Sequence, residues 1–223
     1  MTNLNFSYHD QQCLEEIMRL RRDVRGNYFI RKPISDELLD KLFYSASLAP
    51  SVGFSQPWEF VVIRNQETKQ AIANNFAAEN KKAFGLFNDV KQQQYQKLKL
   101  EGIVEAPVNI AVFYSPSKTP VLGQTSMKEM GEYSVVCAVH NMWLMARSMN
   151  IGIGWVSILN PEAVKKTLNA PQDNKLIAYL CVGYVSEFLD KPELEKLNWE
   201  TRKEKDQFVI REIYKKASLN SSQ

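Results

Sequence analysis

Residues 129–149 set the terms for the fold. They read as one long helix, and Val136, Val139, Trp143, Leu144 and Ala146 make it broadly apolar. Such a helix is expected at the centre of a domain, buried by its neighbours. Strand-like runs flank it: Val108-Asn109-Ile110-Ala111-Val112-Phe113-Tyr114 before, and Gly152 to Leu159 after. Trp58–Ile63 and Leu176–Val185 read as two further core strands. Helices are expected over about 10–22, 35–48 and 66–78. Ser35 is the expected N-cap of the second, with Asp36 and Glu37 in its first turn. Pro161 is expected to open a short helix. Strands separated by helices predict an α/β or α+β domain. Strand order and direction are not readable from the pattern.

One domain over residues 1–223 is expected, since 44% hydrophobic residues in a chain of this length suffice for a substantial core. The 11% aromatic content argues against disorder. Two segments stand apart. Residues 79–100 are Gln- and Lys-rich, broken by Gly85, and carry Phe84, Leu86, Phe87, Tyr95, Leu98 and Leu100. They read as a helix, or as a lid bearing apolar residues over a site. Residues 187–215 are charged and interrupted by proline, with Phe208, Val209, Ile210 and Ile213 late in the run. They read as a C-terminal arm able to cross onto a partner subunit, with the last eight residues of the chain frayed.

Several function classes are excluded or disfavoured. No apolar run approaches the roughly 18–20 residues of a membrane span. No secretory signal is visible, so a cytoplasmic setting is expected. A net charge of +3 is mild for a nucleic-acid binder. Cys13, Cys137 and Cys181 are odd in number and far apart. They fit no zinc spacing and no disulfide framework, so no metal is expected and reduced buried thiols are.

Three constellations can carry chemistry. Arg21, Arg22 and Arg25 offer planar donor forks that suit phosphate oxygens, or they are a solvated helix end. Asp23 lies inside the cluster, where neighbouring arginines favour its ionised form. It is a catalytic acid or base, or a local ion-pair partner. Second, Pro50-Ser51-Val52-Gly53-Phe54-Ser55-Gln56-Pro57-Trp58 has small residues that let a ligand approach the backbone. Gln56 both donates and accepts, which suits a planar heterocycle. Third, Gly152-Ile153-Gly154-Trp155-Val156-Ser157 lacks the third glycine of a dinucleotide fingerprint. Ser157 lacks a nucleophile elbow, and His9 and His140 are the only imidazoles, so a serine hydrolase is poorly supported.

Taken together, these segments resemble the nitroreductase-like flavoprotein superfamily. The resembling stretches are RRDVR at 21–25, APSVGFSQPW at 49–58, LKLEGIVEAPV at 98–108, MKEMGEYSVVCAVHNMWLMARSMNIGIGWVSIL at 127–159 and AYLCVGYV at 178–185. They cover most of residues 14–202. Within the superfamily, RRDVR with GWVSIL is similar to the branch that makes 5,6-dimethylbenzimidazole, the lower-ligand base of vitamin B12. General nitroreductases commonly carry serine where Asp23 stands.

The resemblance implies an α+β fold, with a mixed sheet flanked by helices, in an intertwined homodimer with FMN at the subunit interface. It implies that Arg21, Arg22 and Arg25 contact the FMN phosphate and ribityl chain, and that Ser51, Gln56 and Leu98 contact or cover the flavin. Asp23 and Ser157 are implied as the catalytic pair. Reduced FMN is then the substrate and O2 the co-substrate, with a separate NAD(P)H-dependent flavin reductase supplying the reduced flavin. The alternative is a conventional NAD(P)H-dependent nitro- or quinone reductase that keeps its FMN; a flavin-binding module without turnover is another. Leu122-Gly123-Gln124-Thr125-Ser126-Met127-Lys128-Glu129 departs from the family's LGR…TMPE-like pattern and puts contacts from that loop in question.

Overall fold

The structure is a computed structural model, and residues 5–214 are described. The chain divides into two compact units, one ending at Asp190 and the other beginning at Lys191.

The first unit is built on four strands, β1 (Trp58–Ile63), β2 (Val108–Tyr114), β3 (Ile151–Val156) and β4 (Lys175–Tyr184), in the order β1-β2-β4-β3. Every pairing between them is antiparallel. The parallel component of the expected mixed sheet is a single bridge, Asp23 to Ile153. β2 and β4 are central and are buried almost throughout, which is why both read as continuous apolar runs.

The two-residue period of a strand separates two cores. On one face Ile110, Val112, Ile151, Ile153, Leu180 and Val182 meet helices α2 (Asp36–Ser47) and α5 (Met130–Ser148). On the other, Ala111, Phe113, Tyr179, Cys181 and Val156 meet Ile72 of α3 (Gln66–Phe84) and Val164 of α6 (Pro161–Leu168). Pro161 opens α6 as expected, and Ser35 caps α2 through the Leu38 N–H.

The long helix α5 corrects one expectation. Its buried face is Gly131, Ser134, Val135, Ala138, Val139, Met142 and Ala146. Tyr133, Val136 and His140 are exposed, so one chain covers only one side of the helix. Helix α1 (Tyr8–Leu20) buries none of its residues and exposes Leu14 and Met18. The thiols also differ from the expectation: Cys181 is buried, Cys137 half-buried and Cys13 exposed.

Residues 79–100 are largely helical. α3 runs on to Phe84, and α4 (Asp89–Tyr95) follows. Tyr95 is buried between Phe84 and Phe87, and its hydroxyl donates to Asn80 Oδ1 at 2.6 Å.

The second unit holds the short helix α7 (Glu193–Lys196) and a 3-10 turn at Lys205–Gln207. Phe208, Val209, Ile210 and Ile213 are exposed. Residues 187–190 of the expected arm belong to the first unit. Residue 215 and the eight residues after it lie outside the described residues. Among the described residues no helix is long and apolar enough to cross a membrane.

Candidate active site at the edge of β3

Only Arg21 of the arginine cluster caps the helix; Arg22 and Arg25 lie beyond its end. α1 stops at Leu20, because Arg21 turns extended at φ −63° and ψ 137°. The chain then runs beside β3: the Val24 N–H donates to the Ile153 carbonyl at 3.0 Å. Glycine makes this approach possible. A Cβ at Gly154 would sit 2.0 Å from the Val24 carbonyl oxygen, and one at Gly152 would strike the Val185 and Val24 side chains. The GIG pattern is therefore a close-approach device and not a dinucleotide loop.

This register fixes Asp23. Its Oδ1 accepts the Trp155 N–H at 2.9 Å, and its other oxygen pairs with Arg25. Burial raises the Asp23 carboxyl above the usual range, against the pull of Arg25, the Trp155 N–H and Arg21 toward the ionised form. A carboxyl held between such opposed influences is suited to exchanging a proton.

Arg25 is the more enclosed partner, and it also donates to the Leu100 carbonyl at 3.1 Å and the Trp155 carbonyl at 3.4 Å. The root of the 79–100 segment is thereby tied to the same edge. The Gly26 N–H reinforces it by donating to Glu101 O at 2.9 Å. Lys69, fully buried, donates to Ala106 O at 2.6 Å, and burial lowers its pKa. Leu98 is half-buried and borders a cavity of about 620 Å³ with Phe76, Tyr95 and Glu101 among its walls.

Arg22 has a different setting from its neighbours. It is buried, and its fork donates to the carbonyls of Arg19, Arg21, Leu189 and Asp190. Arg21 lies over the indole of Trp143, 4.7 Å from the ring centroid, and the Trp143 N–H donates to Arg22 O at 3.2 Å. Arg147 donates to Leu20 O at 3.0 Å. One face of α5 thus holds the 20–22 turn. Spacing did not reveal the Trp143 role, because a tryptophan on an apolar helix looks like core.

Ser157 follows β3 directly and is exposed. Ser51 and Gln56 lie elsewhere. Their loop enters β1, on the opposite edge of the sheet. The Ser51 hydroxyl accepts the Gln56 N–H at 3.1 Å, and Gly53, Phe54 and Gln56 all have positive φ. Two non-glycine residues in the left-handed region of one short loop mark stored strain. The register places Ser157 and Trp58 toward the same end of the sheet. β2 and β4 stand between the two edges, a separation of about 14 Å at ordinary strand spacing. The structure therefore gathers Asp23, Arg25, Trp155 and Leu100 at one edge, and Ser51 and Gln56 at the other. Among the described residues no group of three or more His, Cys, Asp or Glu is placed to hold a metal.

The nitroreductase family model matches residues 18–184. This chain belongs to the nitroreductase family. It is 42% identical over 192 residues to a 5,6-dimethylbenzimidazole synthase of Rhodospirillum rubrum, covering 85% of this chain and 90% of the relative. It is 37% identical over 200 residues to one of Rhodobacter capsulatus, covering 88% and 95%. Among solved structures, oxidized iodotyrosine deiodinase bound to FMN and 3-iodo-L-tyrosine superposes with a TM-score of 0.69 at 22% identity, covering 90% of this chain and 100% of that one. That likeness is one of fold. This nitroreductase-family chain thus has the expected α+β class, and these two relatives share one name.

Proposed function

We propose that the chain is a 5,6-dimethylbenzimidazole synthase, consuming reduced FMN and O2. The observation that carries the reading is the Asp23 carboxyl, held by the Trp155 N–H and Arg25 on the β3 edge. The naming of the 42% and 37% identical relatives supports it.

The residues present fit FMN. Arg21 and Arg25 flank Asp23 with two guanidinium groups, a donor set suited to a phosphate and a polyol chain. Arg22 is the third expected contact, and with its fork engaged by carbonyls it contributes least to the phosphate. At the β1 edge, Ser55 Oγ is buried with no hydrogen-bond partner and borders a cavity of about 330 Å³ together with Gln56. A flavin's alternating donors and acceptors match such groups.

When bound, reduced FMN would supply the electrons for O2 and the product's carbon: the dimethylbenzene ring, its two nitrogens and the first ribityl carbon would be kept, the other four ribityl carbons would leave with the phosphate as erythrose 4-phosphate, and the pyrimidine ring would be released separately. Asp23 moves a proton at the first ribityl carbon. The Ser157 hydroxyl orients the reacting face by hydrogen bonding. The 79–100 segment, rooted on Arg25 through Leu100, forms a lid that brings Leu98 over the flavin and excludes water.

A homodimer completes the site. One chain separates the two clusters by the width of its sheet, and a second copy can bring its Ser51–Gln56 loop to the first copy's β3 edge. Exposed Leu14 and Met18 on α1, Tyr44 on α2, and Tyr133 and Val136 on α5 are the apolar surface such a partner covers. The 187–215 segment is the arm that crosses to it. A separate NAD(P)H flavin reductase supplies the reduced FMN, and the setting is cytoplasmic.

The test is product. Purified protein, FMN, NADH, a separate flavin reductase and air should yield 5,6-dimethylbenzimidazole by chromatography and mass, dependent on O2. Reduction of nitro or quinone substrates by NADH alone, with bound FMN retained and no benzimidazole, would establish the conventional reductase instead. Trp143→Leu removes the surface under Arg21 and the donor to Arg22 O. It is expected to weaken FMN binding by roughly tenfold, measured by quenching of flavin fluorescence.

A further inference from the structure

We infer that Gln124 is a positioning residue for the flavin-facing loop, through a latch made with Tyr114 at the start of α5. The inference rests on the proposed contact of Ser51 and Gln56 with FMN.

The loop at 51–56 is gripped from two sides. On one, the Val52 N–H donates to the Ser134 hydroxyl at 3.0 Å, and that hydroxyl donates to Met130 O at 2.7 Å. On the other, the strap at 121–124 presses on its turn. A Cβ at Gly53 would lie 2.7 Å from Leu122 O and 2.9 Å from Val121 Cγ1, so strap and turn are in backbone contact. The strap is exposed at Leu122 and Gly123, and it needs something to hold it down.

Gln124 supplies that hold. Its amide nitrogen donates to the Tyr114 hydroxyl at 3.1 Å and to Lys128 O at 2.8 Å. Tyr114 is the last residue of β2 and pairs with Trp58, the residue that follows Pro57 at the exit of the loop. The latch thus joins the strap to the strand beside the loop's exit. Gly131 in the first turn of α5 leaves the space for it. A Cβ there would meet the Tyr114 ring at 2.4 Å and the Gln124 amide nitrogen at 2.9 Å. Gln124 and Tyr114 also border one cavity with Ser55 and Gln56. An amide donor is needed at 124, since Lys128 O can only accept. Loss of the latch releases the strap, and with it the strained backbone at Phe54 and Gln56 that aims Ser51 and Gln56.

The experiment compares the parent with Gln124→Met and Tyr114→Phe. It measures FMN dissociation by flavin fluorescence, KM for reduced FMN and kcat for benzimidazole formation, and the melting temperature. Gln124→Met should raise the FMN Kd and the KM roughly tenfold while kcat stays within about threefold. Tyr114→Phe deletes one oxygen, leaves the Lys128 contact and should move Kd and KM in the same direction by less. A purely structural role would lower the melting temperature and the active fraction without moving KM, and would overturn the inference. Parent-like Kd and KM in both variants would also overturn it. A parent chain that binds no FMN would overturn the flavin reading itself. A Gln124→Met chain that does not fold leaves Tyr114→Phe to decide by the same KM shift.

Discussion

Asp23→Asn is expected to bind FMN within about threefold of the parent and to form no detectable 5,6-dimethylbenzimidazole. Asparagine keeps an oxygen to accept the Trp155 N–H, so the strand register survives. Arg25 keeps its bonds to Leu100 O and Trp155 O. What is lost is a group able to take up and release a proton, a term worth roughly 10²–10⁴ in rate. The pH profile gives a second readout. Burial lifts the Asp23 carboxyl, so the ionised base should be lost as pH falls through a value above the ordinary carboxylate's. Product formation by the parent should therefore decline on the acid side earlier than an unperturbed aspartate would allow. The residual rate of Asp23→Asn, if measurable, should lack that limb. Normal product from the variant would remove Asp23 from the chemistry and leave it as the ion-pair partner of Arg25.

Gly154→Ala should be the most damaging single methyl in the chain. The added carbon would meet a backbone oxygen at 2.0 Å, and a backbone atom cannot swing aside as a side chain can. Relief requires the 21–25 segment to leave β3, breaking the Val24–Ile153 and Trp155–Asp23 hydrogen bonds together. A cost of about 2–4 kcal/mol follows from overpacking plus the loss of those bonds. For a chain of this size that corresponds to a fall of roughly 4–16 °C in melting temperature. FMN binding should fall with it, because Asp23 and Arg25 move with the segment. A Gly154→Ala protein with parent-like melting and FMN binding would show that the segment is not held as described.

Much of the fold was legible in the residues. β1 and β2 are placed over the expected spans, α2 follows its cap, and Pro161 opens α6. These features are local: a cap, a period of two or 3.6 and a proline act within one turn or strand. The candidate site was legible in kind but not in arrangement. Asp23 and Arg25 could be named. Spacing alone did not say that Gly154 admits Val24, or that Arg22 spends its fork on carbonyls 167 and 168 residues away. Trp143 carried no signal of its role, since it acts through Arg22, 121 residues away, and the departure of the 122–129 loop from the family pattern did not say that the Gln124 amide meets Tyr114.

The α5 expectation failed for a related reason. Apolarity on every side says that a helix is to be covered, not by what. Within one chain α2 and the sheet cover one face, and Tyr133 and Val136 remain outside. Composition and periodicity by themselves determined the elements, their caps and the residue types available for flavin chemistry, because those depend on neighbours along the chain. The strand order β1-β2-β4-β3 was decided only by tertiary pairing. Hydrogen bonds between strands carry no sequence code, and that order is what sets Asp23 and Gln56 on opposite edges of the sheet.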